Sequence, residues 1–214
     1  MTVAIGMMSD KGPILATDEQ VTGASKSSMT KILSIRGPNA MVDFAMAGNK
    51  ANATMAVQEC LQAIRVLPHD SRSVAKIRSV IKSTIQPIQR DYVEARPLDT
   101  RHTFSFDLVV AIRTADELQG RLFYVQDGAV AEAYGYVCLG TGGYLAEYVM
   151  KQAYEDSIDW NRGLVLAMRA LAAAKSHDAN CGGKSNIAVC IGGRTSVAPD
   201  VPPELSSVSI WSPA

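Results

Sequence analysis

The sequence lacks the features that mark membrane, secreted and nucleic-acid-binding proteins. No apolar run in its 214 residues approaches the length of a membrane span. The first residues lack the basic and apolar regions of a signal peptide. Lys plus Arg and Asp plus Glu each number 21, so there is no net charge to attract nucleic acid or an anionic membrane. We therefore expect a cytoplasmic protein that has neither of these as its main partner.

Cysteine and histidine are scarce, and their spacing does not suit a metal site. The cysteines are widely separated, and His69 and His102 have no neighbours at ligand spacing. We therefore predict reduced thiols, no metal and no other cofactor. A Walker-type phosphate-binding loop is also missing, so any ATPase that acts with this chain would be a separate protein. The cysteines are Cys60, Cys138, Cys181 and Cys190.

The composition that is present is that of an ordinary globular domain. Apolar residues make up 47% of the chain and charged residues 20%, which argues against disorder. The length suits one well-buried domain, and no linker divides the sequence. We predict a single domain over residues 1–194. A Pro- and Ser-rich C-terminal extension, residues 195–214, is expected to lie over the surface or a neighbour.

Hydrophobic periodicity predicts strands and helices in separate blocks. Their order is strands, two helices, strands, two helices and a final strand, which indicates an α+β fold of antiparallel sheets covered by helices. Strands are predicted at 2–8, 13–17, 31–35, 40–47, 104–113, 122–125, 129–139 and 185–191, turns at 9–12, 37–39 and 127–128, and loops at 22–28 and 96–103. Helices are predicted at 49–67, from a cap at Asp70 or Ser71 to residue 88 with a kink at Pro87, at 144–156 and at 163–177.

Thr2 is the residue with the clearest chemical meaning. Initiator methionine is generally removed when the second side chain is small, and removal would leave Thr2 with a free α-amine beside its hydroxyl. Such a residue carries a nucleophile together with its own general base, since an α-amine titrates at about pH 8. Many unrelated proteins also begin Met-Thr, so the meaning of Thr2 depends on the rest of the chain.

Five separated segments that begin with Thr2 resemble one family when they are taken in order. They match the β-type subunits of proteasomes, including the simpler bacterial proteasome-like peptidases, over roughly residues 2 to 193. The resemblance implies an N-terminal nucleophile hydrolase with a four-layer αββα sandwich of two antiparallel sheets flanked by helix pairs. The segments are Thr2 with Gly12-Pro13-Ile14-Leu15-Ala16-Thr17-Asp18, Lys31-Ile32-Leu33-Ser34-Ile35, Met46-Ala47-Gly48, Gly140-Thr141-Gly142 and His177-Asp178-Ala179-Asn180-Cys181-Gly182-Gly183.

The resemblance also implies a set of catalytic roles. Thr2 would supply the nucleophilic Oγ and the basic amine. Lys31 would lower the cost of forming the alkoxide, and Asp18 would hold that lysine charged and in place. The backbone N–H of Gly48 would stabilise the oxyanion. Without the resemblance, Asp18 would be interpreted as a turn residue, Lys31 as a solvated strand-edge charge and Gly48 as a helix N-cap.

Two residues depart from the family pattern beside the expected amine. Asp178 would orient the Thr2 amine and the hydroxyl of Thr141, which stands where the family usually has serine. Cys181 replaces a second serine, and a thiol is a weaker hydrogen-bond donor. Cys181 also admits a rival interpretation, a thiol nucleophile with His177 as its base. A buried structural cysteine is the alternative to both roles.

The resemblance extends to the substrate and to the assembly. Val21, Met46 and Lys50 take the positions of the specificity pocket, with two apolar walls and a charged rim. Thr22 would pair through its backbone with an extended peptide. The family implies a homo-oligomer of stacked heptameric or hexameric rings that encloses unfolded protein substrates and is fed by a separate ATPase unfoldase.

Two other functions are compatible with the same residues. If Met1 is retained, the Thr2 amine is blocked, and the chain would be a non-catalytic scaffold or ring subunit of the same fold. An amidase for small molecules within the wider N-terminal nucleophile group is the other alternative.

Overall fold

Two five-stranded sheets form the centre of the fold. The computed structural model describes residues 2–22, 26–37 and 39–190, and the backbone of 208–210. Within these residues the strands are β1 (Ala4–Ser9), β2 (Gly12–Asp18), β3 (Gln20–Thr22), β4 (Lys26–Ser28), β5 (Ile32–Arg36), β6 (Ala40–Gly48), β7 (Phe106–Thr114), β8 (Glu117–Gln126), β9 (Ala129–Glu132), β10 (Tyr136–Leu139), β11 (Ser185–Val189) and β12 (Val208–Ile210). The helices are α1 (Lys50–Arg65), α2 (Val74–Ile88), α3 (Arg101–Phe104), α4 (Gly143–Ala153) and α5 (Trp160–His177).

Strands from the beginning and from the end of the chain lie in the same sheet. The first sheet runs β10-β1-β2-β11-β12, and its pairs are antiparallel except for β12 beside β11. The second sheet is an antiparallel meander of β5 to β9. A separate pair, β3 with β4, lies between them in sequence. The β1–β2 hairpin brings residue 18 next to the start of β1, since Ala4 pairs with Thr17.

Three hydrophobic clusters divide the structure into four layers. The first packs α1 and α2 against the second sheet, as with Ile64 against Phe44. The second packs α4 and α5 against the first sheet. The third lies between the sheets and contains small side chains such as Ala4 and Ala45. The alternation of side chains along the strands produces this arrangement, because central strands such as β1, β6 and β7 each contribute alternate residues to two clusters. The predicted αββα sandwich is confirmed.

One predicted strand, residues 129–139, is wrong and is really two strands. β9 ends at Glu132 in the second sheet, and β10 begins at Tyr136 in the first. The chain crosses between the sheets at Gly135, whose φ of +116° is strained for other residues. Residues that suit strands continue from β9 into β10 and so hid the crossover, although Val130 packs in the first cluster and Leu139 in the third.

Other differences concern the segments around the helices and the loops. The predicted cap at Asp70 or Ser71 is wrong, because those residues form a 3₁₀ turn and the Ser73 side chain caps α2. Pro87 lies in the last turn of α2, which continues as a π-helical turn over Gln89–Glu94. The predicted loop at 96–103 contains α3, and the loop at 22–28 contains parts of β3 and β4.

The remaining sequence predictions fall partly outside the described residues. Met1, the loop residues 23–25, Pro38 in the turn at 37–39, and most of the 195–214 extension belong to this group. The extension is not wholly surface coil, because β12 pairs with β11. Within the described part of the chain, no helix is long and apolar enough to cross a membrane.

Candidate active site

Thr2, Asp18 and Lys31 meet at one buried point where the two sheets adjoin. Lys31 Nζ donates to Thr2 Oγ1, and the Thr2 hydroxyl donates to Asp18 Oδ1. The lysine and the aspartate form an ion pair with 2.7 Å between Nζ and Oδ1. Three residues separated by 16 and 13 positions in the chain are thus joined in a closed triangle of contacts.

Asp18 is wholly buried, and both of its carboxylate oxygens accept hydrogen bonds. Besides Thr2 and Lys31, the backbone N–H of Val3 donates to Oδ1 at 3.2 Å. The N–H of Gly182 donates to Oδ2 at 3.0 Å. Donors on both oxygens hold a buried carboxylate in one orientation. The β1–β2 hairpin fixes its distance from Thr2, since Asp18 is the last residue of β2.

Lys31 lies immediately before β5 and donates to three acceptors. The third is the backbone carbonyl of Gln20, in addition to Thr2 and Asp18. Burial lowers the pKa of Lys31 from its ordinary value, against the opposing charge of Asp18. Three acceptors match the three protons of an ammonium group, so the geometry suits a charged lysine whose proton is less firmly held than usual.

Gly48 is the last residue of β6 and lines the same cavity. Its backbone conformation and its close neighbours favour glycine at this position. Its φ is +84°, and a Cβ at this position would lie 2.6 Å from the carbonyl oxygen of Ser105. The helix N-cap is instead Asn49, whose side chain accepts from the N–H of Asn52. The helix-cap interpretation of Gly48 is therefore wrong, and its backbone is exposed to the cavity beside Thr2.

Gly140 is a site residue that sequence reasoning missed. A Cβ there would lie 2.2 Å from the carbonyl oxygen of Thr2, and its φ of +86° also favours glycine. The N–H of Gly142 donates to that same carbonyl at 3.3 Å. The glycine-rich corner before α4 therefore holds the backbone of Thr2, whose side chain contacts Asp18. The sequence signal for this contact was the glycine-rich run Gly140-Thr141-Gly142-Gly143. It indicated a turn, but it did not indicate that the turn lies against the backbone of Thr2.

A second cluster surrounds Asp178, just after α5. Its carboxylate accepts from Asn180, from Cys181 Sγ at 3.6 Å and from the side chain of Thr141. Burial acts to raise the pKa of Asp178, but these hydrogen bonds outweigh it and hold the pKa below its ordinary value. Among the described residues, no hydrogen bond joins the Asp178 carboxylate to Thr2. The structure thus brings Thr141, Asp178 and Cys181 together as one group.

Cys181 has the environment of a structural thiol. Its side chain is buried, and burial together with the charges of Asp18 and Asp178 raises its pKa to about 12. A thiolate is the reactive form of cysteine, so this environment suppresses it. His177 is exposed, and within the described residues it makes no hydrogen bond to Cys181. The geometry therefore disfavours the rival cysteine nucleophile.

The cavity beside Thr2 is narrow and opens into a larger groove. The cavity of about 20 Å³ has room for about one water molecule. The groove of about 770 Å³ shares part of its lining and passes along the first turns of α1 to His102. Met29 was missed by sequence reasoning because it lies outside the recognised segments. The cavity is lined by Thr2, Val21, Met29, Lys31, Met46, Ala47, Gly48, Lys50, Ala53 and Thr54.

The four predicted substrate residues lie along this cavity and groove. Met46 is buried in the cavity wall, and Lys50 is exposed at its rim. Val21 lines both spaces, and Thr22 lines the groove. Among the described strands, β3 pairs only with β4, and its residues Val21 and Thr22 line the groove. Within the described residues, His, Cys, Asp and Glu form no group able to hold a metal ion.

The arrangement of these residues can be compared with known families. A family model for "Proteasome subunit" matches residues 2–191. The chain belongs to the proteasome subunit family. A curated relative, the proteasome subunit beta of Methanococcus aeolicus, is 23% identical over 190 residues, which cover 88% of this chain and 83% of that protein. A protease-type or proteasome-related function follows from this membership.

Solved structures support the same fold. Anbu (ancestral beta-subunit) from Yersinia bercovieri matches with a TM-score of 0.73 at 15% identity, over 86% of this chain and 80% of that one. The Anbu complex of Pseudomonas aeruginosa, described as a helical assembly, matches with a TM-score of 0.74 at 15% identity, over 86% and 79% of the two chains. At such identities these likenesses establish the proteasome-like fold and leave the roles of individual residues to the site itself.

Proposed function

We propose that this proteasome-family chain is a threonine-type endopeptidase whose nucleophile is Thr2 after removal of Met1. The observation that carries the proposal is the convergence of Lys31 Nζ and Asp18 Oδ1 on the Thr2 hydroxyl. Both charged groups are buried, so the ion pair and its hydrogen bonds must offset the desolvation of two charges at this point. Met1 lies outside the described residues, so its removal is part of the proposal.

The proposed reaction begins with attack by Thr2 Oγ on the carbonyl carbon of a peptide bond. The hydroxyl proton passes to the α-amine of Thr2, and the charge of Lys31 stabilises the developing alkoxide. The Gly48 N–H donates to the oxygen of the tetrahedral intermediate. The amine then gives its proton to the leaving nitrogen, which leaves an ester on Thr2. Water hydrolyses that ester, with the amine again as base.

In this proposal, the Asp178 group holds the amine once Met1 is gone. Asp178 stays ionised because hydrogen bonds keep its pKa below the ordinary value, so it can accept from a protonated amine without taking its proton. Thr141 supplies a hydroxyl to the same carboxylate. Cys181 fills the remaining side with a thiol, which supports the carboxylate more weakly than a hydroxyl does.

The groove provides the proposed path for an extended substrate. The unpartnered edge of β3 at Val21 and Thr22 would pair with the peptide backbone, which leads the scissile bond to Thr2. Met46 and Lys50 would contact the side chain before that bond. The narrow cavity fits a small side chain unless Met29 and Met46 move, which methionine permits more readily than other apolar residues.

The proposed working form is a homo-oligomer that encloses its active sites. Family membership supports an assembly, and the helical assembly reported for the Pseudomonas aeruginosa Anbu complex shows a form other than closed rings. Heptameric or hexameric stacked rings, and a separate ATPase that supplies unfolded protein, remain parts of the proposal. Native mass spectrometry of the purified protein measures the subunit number directly.

The groove bears on the alternative of an amidase for small molecules. The adjoining groove of about 770 Å³ argues for an extended ligand rather than a small amide.

Peptide hydrolysis by Thr2 variants tests the proposed function. Purified protein should hydrolyse fluorogenic peptides, Thr2→Ala should abolish this activity, and Thr2→Ser should retain part of it because the hydroxyl remains. A Thr2→Ala variant with unchanged activity would contradict the mechanism. Protein that lacks Met1, is folded and assembled, and is inactive across a broad peptide library would favour the non-catalytic subunit.

A further inference from the structure

Lys175, near the end of α5, ties down the loop that leads into β11. Its Nζ donates to the carbonyl oxygen of Gly183 at 2.7 Å and to Ser185 Oγ at 2.8 Å. The side chain is half-buried and lines neither the cavity beside Thr2 nor the groove. Lys175 therefore spans from the helix to the first residue of the strand across the intervening turn.

The loop fixed by Lys175 contacts the catalytic aspartate through its backbone. The N–H of Gly182 donates to Asp18 Oδ2 at 3.0 Å. The carbonyl oxygen of Gly182 accepts from the N–H groups of Glu19 at 3.2 Å and Gln20 at 3.0 Å. Gly182 is thus bonded through its N–H to Asp18, the last residue of β2, and through its carbonyl to the two residues that follow β2. Gly183 is the next residue of the loop.

The loop packs closely against Gln20. A Cβ on Gly182 would lie 2.5 Å from Gln20 Oε1, and Gly183 has a φ of +70°. Gln20 also donates through its side chain to the carbonyl of Ala179 at 2.9 Å. The two glycines allow the loop backbone to approach Gln20 closely. They also raise the conformational-entropy cost of holding the loop in one shape. A rigid attachment at Lys175 offsets that cost.

The charge of Lys175 also acts on the carboxylate side of the site. Burial lowers the pKa of Lys175, while the negative charges of Asp18 and Glu19 act in the opposite direction. Asp18 therefore lies in the field of two lysines, with Lys31 in direct contact and Lys175 behind the loop.

We propose that Lys175 is a positioning residue that holds the Gly182–Gly183 turn, so that the Gly182 N–H fixes Asp18 against Lys31 and Thr2. The proposal rests on the proposed function for its kinetic part. The sequence segments that resemble the family do not include Lys175, which lies two residues before the fifth segment. If the turn loosens, Asp18 loses one of its donors and can rotate away from the ion pair. This affects the chemical step more than substrate binding.

Steady-state kinetics of three lysine variants tests this role. Lys175→Met removes the donors and keeps most of the side-chain length, and Lys175→Arg keeps donors. Lys151→Met on α4 removes an exposed lysine that forms an ion pair with Glu147. We expect Lys175→Met to lower kcat about tenfold with KM unchanged, since small displacements in an active site have effects of at least this size. Lys175→Arg should recover most of kcat, and Lys151→Met should match the parent protein.

Amide hydrogen exchange of the same variants tests the loop independently of activity. Lys175→Met should speed exchange at Gly182 and Gly183, and Lys151→Met should not. Unchanged exchange in Lys175→Met would overturn the proposal. Faster exchange with an unchanged kcat, or an effect confined to KM, would overturn it as well. If the parent protein hydrolyses no peptide, the proposed function fails, while the exchange measurement still decides whether Lys175 holds the turn.

Discussion

Two buried clusters in this structure combine a hydroxyl, an aspartate and a cation. Thr2, Asp18 and Lys31 form one, the Thr2 cluster. Ser34, Asp43 and Arg36 form the other, in which Ser34 donates to Asp43 and Arg36 forms an ion pair with Asp43 at 2.8 Å. This second cluster lies further along the same β5–β6 hairpin, on the side of β6 that contributes Met41 and Ala45 to the layer between the sheets.

The clusters differ in their surroundings. Thr2 lies at a cavity, whereas Ser34 is in the middle of β5, where its nitrogen always remains a peptide nitrogen. Asp18 accepts from four donors, while Asp43 Oδ2 has no hydrogen-bond partner among the described residues. The comparison shows that a hydroxyl beside an ion pair is not enough for catalysis. A potential amine, an open cavity and a carboxylate held on all sides distinguish Thr2.

The largest expected difference between the clusters results from removing their cations. Lys31→Met should lower kcat/KM by about a thousandfold, the order of effect seen when a catalytic charge or donor is lost. Arg36→Met should leave the activity per folded molecule within about twofold. Both changes should destabilise the fold by about 3 kcal/mol or more, because each leaves a buried aspartate without its partner.

Peptide hydrolysis and urea unfolding of both variants at a temperature where each is folded would separate the two effects. Similar losses of activity per folded molecule in Lys31→Met and Arg36→Met would mean that the Thr2 cluster is structural.

A smaller effect is expected where the chain departs from the family pattern. Cys181→Ser supplies a stronger donor to Asp178 and should raise kcat by about two- to tenfold, since a hydrogen bond to a charged group gains about 1 kcal/mol over a poor one. Cys60→Ala, in the cluster beneath α1, serves as the control and should leave kcat unchanged. A fall in kcat for Cys181→Ser would show that the thiol is the better fit at this position.

The smallest expected effect concerns the pH dependence of folding at Asp43. Burial raises the pKa of Asp43, against the opposing charge of Arg36. Below pH about 4 both the folded and the unfolded carboxyl are protonated, and the stabilisation from the raised pKa is fully present. As the pH rises, the unfolded chain loses this proton first, so the free energy of unfolding falls until the folded carboxyl also ionises.

Urea unfolding of Asp43→Asn between pH 4 and 8 should show a weaker decline than the parent protein. An identical decline in the variant and the parent protein would mean that the pKa of Asp43 is not raised. The difference in hydrogen-bond donors between Asp43 and Asp18 would then have no effect on the pH dependence of folding at Asp43.

The sequence predicted the layers well because strand and helix periodicities reflect directly which faces are buried. The predicted strands at 2–8 and 13–17, joined by the turn at 9–12, already placed Thr2 near Asp18 in one hairpin. Only the family resemblance added Lys31, because its segment has no local signal in common with that hairpin. The crossover at Gly135 was missed because the residues on both sides of it suit strands, and strand propensity does not indicate which sheet a strand joins. Backbone donors such as Gly182 were also missed, since an N–H is present at almost every residue and only the fold selects one.

The measurement that tests the central claim most directly is mass spectrometry of the purified protein after treatment with a threonine-reactive covalent inhibitor. The account predicts a mass without Met1 and one inhibitor adduct per chain, located on Thr2 by peptide mapping and absent from Thr2→Ala. Retention of Met1, or a chain that lacks Met1 and takes up the inhibitor elsewhere or not at all, would contradict it.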